Sequence, residues 1–455
     1  MISVTDRIAL RSQRVLTPQG IRPAIVEINN GRIVALHDVD STMECPVKDL
    51  GNLVIMPGLV DTHVHINEPG RTEWEGFNTA TQAAAAGGIT TLVDMPLNCI
   101  PVTTTKAAFE EKLASVEDKL WVDCGFWGGV TPDNLDDLDE LLAAGVLGVK
   151  SFLIDSGIEE FPPVTEGDIN RAIPILAKYQ APYLIHAELD QDHSPAPEIG
   201  NAYQSFLQSR PKHWENEAIN LMIRLGQEAR KQGYDGHIHI VHLSSAEALK
   251  AISEARNSGL KFTIETCPHY LTLFAESIPD GKTLFKCCPP IREDSNREQL
   301  WQGLKDGLID FIVSDHSPCT PQLKHIDSGD IEKAWGGISA LQFGLPLIWT
   351  EARQRGMSLE TVSHLMATAT ADFIGLGHKK GRIAPGYQAD LLIFDPEAEY
   401  EITTDMIKHR HKITPYEGKK VFGEIQQTYL RGEIVYDQGQ FSQGPMGKPI
   451  LRDQR

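Results

Sequence analysis

The pattern His63-x-His65 closes a short apolar run at residues 59–66. Side chains two residues apart on a β-strand point to the same face, so both imidazoles can reach one metal ion. The pattern alone is weak evidence, because two ordinary histidines would give the same spacing. The interpretation therefore depends on what other segments contribute.

Four more residues that could bind a metal stand where other apolar runs end. These runs carry Lys150, His186, His242 and Asp315. The carboxyl ends of barrel strands are where the active sites of such folds form. Six such side chains predict a centre that holds two divalent cations. The predicted ligands are His63, His65, Lys150, His186, His242 and Asp315.

Lys150 can be a ligand only after its charge is removed, because an ammonium group binds no cation. Its neighbours Val149 and Phe152 indicate burial, which lowers the pKa of a lysine. A neutral amine can react with CO₂ to form a carbamate, which is in effect a carboxylate able to bridge two cations. The alternative is a lysine that reaches solvent or pairs with a carboxylate. Ligands of nitrogen and oxygen suit Zn²⁺, and also Co²⁺, Mn²⁺ or Fe²⁺.

Four other histidines fall near these positions. His237 and His239 have the opposite strand parity from His242, which predicts packing or surface roles. His269 and His316 lie close to the site, and we expect them to support ligands rather than to be ligands.

The elements between these residues must bring the strand ends together. Eight apolar runs alternate with helical patterns, which predicts an α/β fold of the (β/α)₈ TIM barrel type. A doubly wound open sheet is the alternative, but neither Gly-rich phosphate motif occurs. The runs cover residues 59–66, 89–95, 121–128, 148–153, 183–187, 238–243, 262–266 and 311–314.

The two ends of the chain have a different pattern. Residues 24–28 and 32–36 alternate apolar and polar positions around Asn-Asn-Gly, and similar runs return at 389–394 and 427–432. This alternation is typical of strands. We therefore expect one small β domain built from residues 1–54 and 382–455 beside a barrel at 55–381.

Composition narrows the class of protein. The 455 residues include 62 acidic and 42 basic ones, a net charge of −20. This charge argues against partners such as nucleic acid or an anionic membrane. The seven cysteines form no Cys-x-x-Cys pair. This cysteine pattern, the lack of a signal peptide and the lack of a membrane span together predict a soluble, cytoplasmic protein whose thiols are reduced.

Several motifs resemble the cyclic amidohydrolase branch of the amidohydrolase superfamily, and within it the allantoinases. The resemblance covers essentially the whole chain. The segments 56–65 and 314–319 are shared with dihydroorotases and hydantoinases. Three motifs are closer to allantoinases: Glu-Pro-Gly-Arg at 68–71, Met-Pro-Leu-Asn at 95–98 and Lys-Ala-Trp-Gly-Gly at 333–337.

The resemblance implies a TIM barrel beside a composite β-sandwich, and a homotetramer. It implies that His63, His65 and Asp315 hold one metal, that His186 and His242 hold the other, and that carbamylated Lys150 bridges them. We expect substrate contacts at Asn67, Cys288, Ser317 and Gly337.

At two positions this chain carries a different residue from related enzymes, and both differences affect the expected substrate. Dihydroorotases carry an Arg two residues after the second His, where this chain has Asn67, so a neutral ring is favoured over an anionic one. Arg71 could replace that Arg or could be structural. Related hydantoinases often have Ser where this chain has Cys288. We expect Cys288 and Cys319 to be small buried thiols rather than nucleophiles.

The expected reaction is hydrolysis of the cyclic amide of allantoin to allantoate, in purine (ureide) catabolism. A hydroxide that bridges the two metals would attack the ring carbonyl, with Asp315 as proton shuttle. The alternatives are a hydantoinase or dihydropyrimidinase, a dihydroorotase, or a relative that has lost catalysis and serves as a scaffold. The six filled ligand positions weigh against the scaffold.

Overall fold

The computed structural model describes residues 7–190 and 198–452. Residues 1–6 and 453–455 of the two predicted terminal segments lie outside this range. Within it no helix is long and apolar enough to cross a membrane. All seven cysteines carry free thiols.

The strands of the described residues follow in chain order. They are β1 (Arg7–Thr17), β2 (Gly20–Asn29), β3 (Arg32–His37), β4 (Val47–Asp49), β5 (Val54–Pro57), β6 (Leu59–Val64), β7 (Ile89–Asp94), β8 (Asp123–Phe126), β9 (Gly128–Gly129), β10 (Val149–Phe152), β11 (Pro182–His186), β12 (His237–Ile240), β13 (Phe262–Thr266), β14 (Phe311–Ile312), β15 (Leu391–Glu401), β16 (Lys420–Leu430), β17 (Glu433–Asp437) and β18 (Gln440–Phe441).

The α-helices lie mostly between the parallel strands. They are α1 (Phe77–Ala86), α2 (Lys106–Ser115), α3 (Leu138–Ala144), α4 (Glu166–Tyr179), α5 (Tyr203–Ser209), α6 (Lys212–Lys231), α7 (Leu249–Asn257), α8 (Pro268–Thr272), α9 (Asp294–Lys305), α10 (Gly344–Gln354), α11 (Leu359–Ser363) and α12 (Ala369–Phe373).

All eight apolar runs of the middle segment form strands in parallel sheets, as predicted. One sheet has the order β6-β7-β8, and the other has the order β14-β13-β12-β11-β10-β9. The strands β8 and β9 belong to one run, interrupted at Trp127, whose amide donates to the carbonyl of Asp94 at 2.9 Å. Nearly all residues of these strands are buried, which is why the runs are apolar on both faces.

The strands from the two ends of the chain share one sheet. Its order is β18-β17-β16-β15-β5-β1-β2-β3, and β4 also pairs with β1. The hairpin between β2 and β3 turns at Asn30 and Gly31, which both have positive φ, at 49° and 72°. This conformation suits Asn-Gly and matches the twist of a hairpin.

A buried ion cluster joins this sheet to the parallel strands. Lys380 donates to Asp390 at 2.6 Å and to Asp123, on β8, at 2.8 Å. Arg431 donates to the other oxygen of Asp123 at 2.6 Å. Because charges this deep must be paired, loss of Lys380 would leave two carboxylates without their main partner.

Candidate active site

The six predicted ligands are all buried, and they lie on parallel strands or just beyond their carboxyl ends. His63, Lys150 and His186 lie on β6, β10 and β11. His65, His242 and Asp315 lie just beyond the ends of β6, β12 and β14. Among the six, Asp315 is the most exposed, at 7%. The structure thus places these six side chains at one edge of the parallel strands.

One group forms around Asp315. Its Oδ1 atom lies 3.1 Å from Nε2 of His63 and 3.5 Å from Nε2 of His65. The ligand atoms of these three residues all lie within 4.8 Å of one another and could hold a metal ion. The Nζ atom of Lys150 lies 3.2 Å from the same Nε2 of His63.

His186 and His242 form a second group directly beside the first. Their ring centroids lie 4.6 Å apart, and the ring of His242 lies 5.4 Å from that of His63. Phe152 stacks on His186 at 4.5 Å and fixes its plane. The Nδ1 atom of His242 is buried without a hydrogen-bond partner in the described chain. A buried imidazole nitrogen without a partner fits a ligand position for a cation.

The backbone is strained where two of these side chains enter the site. His242 and Asp315 have φ of 40° and 44°, in the left-handed region that residues other than Gly seldom adopt. Such conformations persist when the surrounding structure enforces them, and they cluster at functional sites. His242 comes two residues after β12, and Asp315 comes three residues after β14.

Burial sets the charge state of the site. It lowers the pKa of His65 to about 3 and the pKa of Lys150 to about 8. It also lowers the pKa values of His186 and His242. Burial alone would raise the pKa of Asp315, but the adjacent imidazoles outweigh it and lower that pKa well below its usual range. At His63 the carboxylates of Asp315 and Glu265 outweigh burial and raise the pKa. Imidazoles beside a carboxylate are a donor set that fits divalent cations.

Glu265 on β13 positions His63, a role that the sequence reasoning missed. Burial would raise the pKa of this carboxyl group, but His63 and His239 lower it to about 2, so it is ionised and only accepts hydrogen bonds. It accepts from Nδ1 of His63, from Nε2 of His239 at 3.1 Å and from the amide of His242 at 3.2 Å. The Nε2 atom of His63 then faces Asp315 and Lys150, the other predicted ligands beside it.

Glu188 supports His186 in a similar way and was also missed. One of its oxygens lies 2.7 Å from Nε2 of His186. Arg210 grips both carboxylate oxygens, at 3.1 and 2.6 Å. Burial raises the pKa of Glu188, but Arg210 and His186 outweigh burial and lower it. The available signal was a carboxylate two residues after a predicted ligand in an apolar run.

The other histidines differ in their surroundings. The ring of His239 packs against Phe311, as the packing prediction requires, but its hydrogen bond to Glu265 was not predicted. His237 is half-buried and bonds to Thr263 at 2.8 Å.

His316 and His269 are both buried next to the predicted ligands. The Nδ1 atom of His316 accepts hydrogen bonds from the amides of Ala340 and Leu341, at 3.1 and 3.3 Å. Its Nε2 atom therefore carries the proton and lies 3.6 Å from the carboxylate of Glu75. Neither ring nitrogen of His269 has a partner among the described residues.

Two of the four expected substrate contacts, Asn67 and Ser317, each come two residues after a predicted ligand. Asn67 is buried and donates to the carbonyl of Pro318 at 3.3 Å, while its own Oδ1 has no partner among the described residues. The amide of Ser317 donates to Ile338 at 3.0 Å. A Cβ at Gly337 would lie 2.3 Å from the carbonyl oxygen of Ser317, so this position requires Gly. Cys288 is half-buried.

Lys324 forms hydrogen bonds to the segments that carry two of the expected substrate contacts, Cys288 and Gly337. Its buried Nζ atom donates to the carbonyls of Trp335 at 2.8 Å, Lys286 at 3.2 Å and Gly337. The amide of Gly337 also donates to the carbonyl of Lys286 at 2.9 Å. One ammonium group therefore holds together the segments around Cys288 and Gly337.

Arg71 is already engaged by the protein. It donates to the carbonyl of Asn98 at 3.3 Å and to Glu160 at 3.1 Å, and it lies over the ring of Trp74 at 5.4 Å. Trp74 in turn meets Trp335 edge-on at 4.9 Å. Of the two roles considered for Arg71, these contacts favour the structural one.

Comparison with known proteins agrees with this chemistry. Residues 54–435 match the model of the Amidohydrolase family. An allantoinase of Streptomyces avermitilis is 47% identical over 98% of this chain and 99% of its own length. An allantoinase of Saccharomyces cerevisiae is 47% identical over 92% of this chain and 89% of its own.

A solved structure extends the similarity to the fold. L-hydantoinase (dihydropyrimidinase) from Arthrobacter aurescens superposes with a TM-score of 0.90 at 28% identity, over 98% of this chain and 99% of that one. The chain therefore belongs to the amidohydrolase family, and its relatives place it among the allantoinases.

Proposed function

We propose that the protein is a metal-dependent hydrolase that opens the hydantoin ring of allantoin to give allantoate, in purine (ureide) catabolism. The observation that carries this proposal is the meeting of His63, His65 and Asp315 with Lys150, His186 and His242 at one edge of the parallel strands. Allantoinases that are 47% identical over nearly the full chain support the choice of substrate.

The proposal includes a closed barrel at residues 55–381 beside a composite β-sandwich. Closure is supported by the amide of His65, which donates to the carbonyl of His316 at 2.8 Å and so links the ends of β6 and β14. The continuity of β8 and β9 links the two parallel sheets. The mixed sheet supports the composite part, because it holds strands from segments 1–54 and 382–455.

We assign His63, His65 and Asp315 to one divalent cation, and His186 and His242 to the other. A carbamate on Lys150 would lie between them, and zinc is the preferred metal. When bound, such a pair supplies hydroxide at neutral pH and stabilises negative charge on a carbonyl oxygen. The lowered pKa of Lys150 supports carbamylation, because only the neutral amine reacts with CO₂.

Asp315 moves the proton in this proposal. Its carboxylate is ionised and can accept the proton of the attacking nucleophile. It then donates this proton to the ring nitrogen as the C–N bond breaks. Without that proton the nitrogen would leave as a high-energy anion.

The pocket favours a neutral ring. Asn67 offers an amide oxygen without a partner, which can accept a hydrogen bond from a ring N–H. The two nearby guanidinium groups are already paired, Arg71 with Glu160 and Arg210 with Glu188. We therefore propose Asn67, Cys288, Ser317 and Gly337 as the contacts to an uncharged substrate.

We further propose a cytoplasmic homotetramer. Seven free thiols fit a reducing compartment. Light scattering coupled to gel filtration gives the subunit number directly, and a monomer or dimer would contradict the tetramer.

The decisive experiment compares four rings with metal-loaded protein in bicarbonate buffer: allantoin, hydantoin, dihydrouracil and dihydroorotate. We expect kcat/KM for allantoin to be about tenfold or more above the others, a difference of at least about 1.4 kcal/mol in transition-state binding. A preference for hydantoin or dihydrouracil would contradict the substrate. Purified protein that binds no stoichiometric metal and opens none of the rings would instead be a scaffold.

A further inference from the structure

Cys267, His269 and Asp315 form a second cluster beside the proposed two-metal centre. The thiol, an imidazole nitrogen and a carboxylate oxygen all lie within 4.8 Å of one another, and all three residues are buried. Only Asp315 belongs to the ligand set assigned above. Cys267 and His269 have no role in that assignment.

The register of two neighbouring strands fixes this cluster. Thr266, the last residue of β13, pairs with Ile312, the last residue of β14. Cys267 follows directly, and His269 lies on α8. Asp315 comes three residues after β14, where its positive φ turns it towards the site. The cluster therefore rests on the same rigid strand ends as the proposed active site.

His269 provides independent evidence that this cluster binds something. It is fully buried, yet neither of its ring nitrogens has a partner in the described chain. Tyr270 packs against its ring at 4.2 Å, but the hydroxyl of Tyr270 donates to the carbonyl of Pro289 at 2.7 Å and so is not directed to His269. Buried polar groups are rarely left unsatisfied, because each costs about 1–3 kcal/mol.

We propose that Cys267, His269 and Asp315 form a third cation site, which takes a thiophilic divalent ion such as Cd²⁺ or surplus Zn²⁺ and inhibits the enzyme. Sulfur and nitrogen ligands select such ions, whereas the two-metal centre offers only nitrogen and oxygen. The inhibitory part rests on the proposed function, and the binding part does not.

The chemistry of binding is a simple exchange. The thiol of Cys267 releases its proton to solvent, and the hydrated cation gives up water ligands to solvent. In their place it bonds to the sulfur, to a nitrogen of His269 and to an oxygen of Asp315. No electron is transferred. The carboxylate of Asp315 is then engaged and cannot carry the proton to the leaving nitrogen.

Titration of the zinc-loaded holoenzyme with CdCl₂ tests the site. Absorption in the ultraviolet from thiolate-to-cadmium charge transfer reports only sulfur ligation, so exchange at the two-metal centre stays silent. Metal analysis after gel filtration gives the stoichiometry. We expect a third equivalent, the absorption band and loss of turnover at the same cadmium concentration.

The variants separate this site from the other thiols. Cys267→Ser should lose the band and keep its turnover in cadmium. His269→Gln should bind the third ion about tenfold or more weakly, and it reports on the site if Cys267→Ser does not fold. Cys319→Ser is the matched control, a buried thiol four residues from Asp315, and it should keep the band.

Two results would overturn the proposal: no third equivalent in the wild type, or an equal band in Cys267→Ser. A third ion bound without loss of turnover would remove Asp315 from its ligands. If the wild type opens no ring at all, the proposed function fails, but the band and the stoichiometry still decide whether the site exists.

Discussion

Nδ1 of His63 donates a hydrogen bond to Oε1 of Glu265, across 202 residues of sequence and between two non-adjacent parallel strands. The other oxygen of Glu265 is held by His239. The ring of His63 therefore has a fixed orientation. A carboxylate that supports a ligating histidine in this way also raises its basicity.

Glu265→Gln tests this support. The amide keeps an acceptor but loses the charge, so we expect about 10- to 100-fold weaker binding of the metal next to His63. Competition with a chelator measures the affinity. Glu254→Gln, at an exposed helical position, is the control and should bind like the wild type. Unchanged affinity in Glu265→Gln would contradict the role.

Asp315→Asn tests the proton shuttle. The amide can still offer an oxygen to a cation but cannot accept the proton, so we expect substantial metal content and a kcat lower by a factor of about 100 or more. Metal analysis and steady-state kinetics on the same preparation measure both. A kcat near that of the wild type would rule out the role of Asp315.

Lys150→Ala tests the bridging carbamate. Without the amine no carbamate can form, so both metal and activity should be lost. Short carboxylic acids should partly restore them, because a free carboxylate can enter the space that the side chain leaves. The same acids added to the wild type are the control. Full metal occupancy in Lys150→Ala without added acid would count against the bridge.

Lys324→Met tests whether the hydrogen bonds of Lys324 to the segments around Cys288 and Gly337 shape the substrate pocket. The variant keeps the apolar volume but loses the donors to Lys286, Trp335 and Gly337. We expect KM for allantoin to rise about tenfold, which equals about 1.4 kcal/mol, with a smaller change in kcat. Lys324→Arg should restore part of the affinity. A fall in kcat alone would place the effect elsewhere.

His237→Gln tests acid stability. Burial lowers the pKa of His237 to about 3, so the unfolded chain binds more protons below the ordinary pKa of about 6.5. Its contribution to stability is complete above pH 6.5 and is lost as the pH falls towards 3, by up to about 1.4 kcal/mol per pH unit. The glutamine side chain can still donate a hydrogen bond to Thr263, and it does not become charged at low pH.

Urea unfolding midpoints at pH 7, 6 and 5 measure this difference. The variant should become more stable relative to the wild type with each step towards acid. His378→Gln, at an exposed position, is the control and should follow the wild type. Parallel curves for His237→Gln and the wild type would contradict the prediction.

The positions of the proposed ligands could be predicted because most of them stand at or just after the end of an apolar run. An apolar run on both faces predicts a parallel strand, and the first polar residue after it must lie at the open edge. His186 and Asp315 follow this rule directly. The hairpin at Asn30 and Gly31 was predictable for a similarly local reason, since its turn type demands those residues.

The supporting residues could not be predicted, because their roles depend on contacts between distant segments. Strand parity separates His239 from His242, but Glu265 bonds to the ring of one and the amide of the other. Nothing near Lys324 in the sequence shows that three carbonyls will surround its ammonium group. Such roles appear only when the loops after different strands are brought together.

The shared sheet sets an order of events during synthesis. Strand β5 lies between β1, from the start of the chain, and β15, which begins about 330 residues later. On the ribosome, β5 must therefore wait with one edge unpaired until almost the whole chain has emerged. We expect nascent chains that stop before Leu391 to aggregate through this edge, and a chaperone that covers it would raise the yield of active protein.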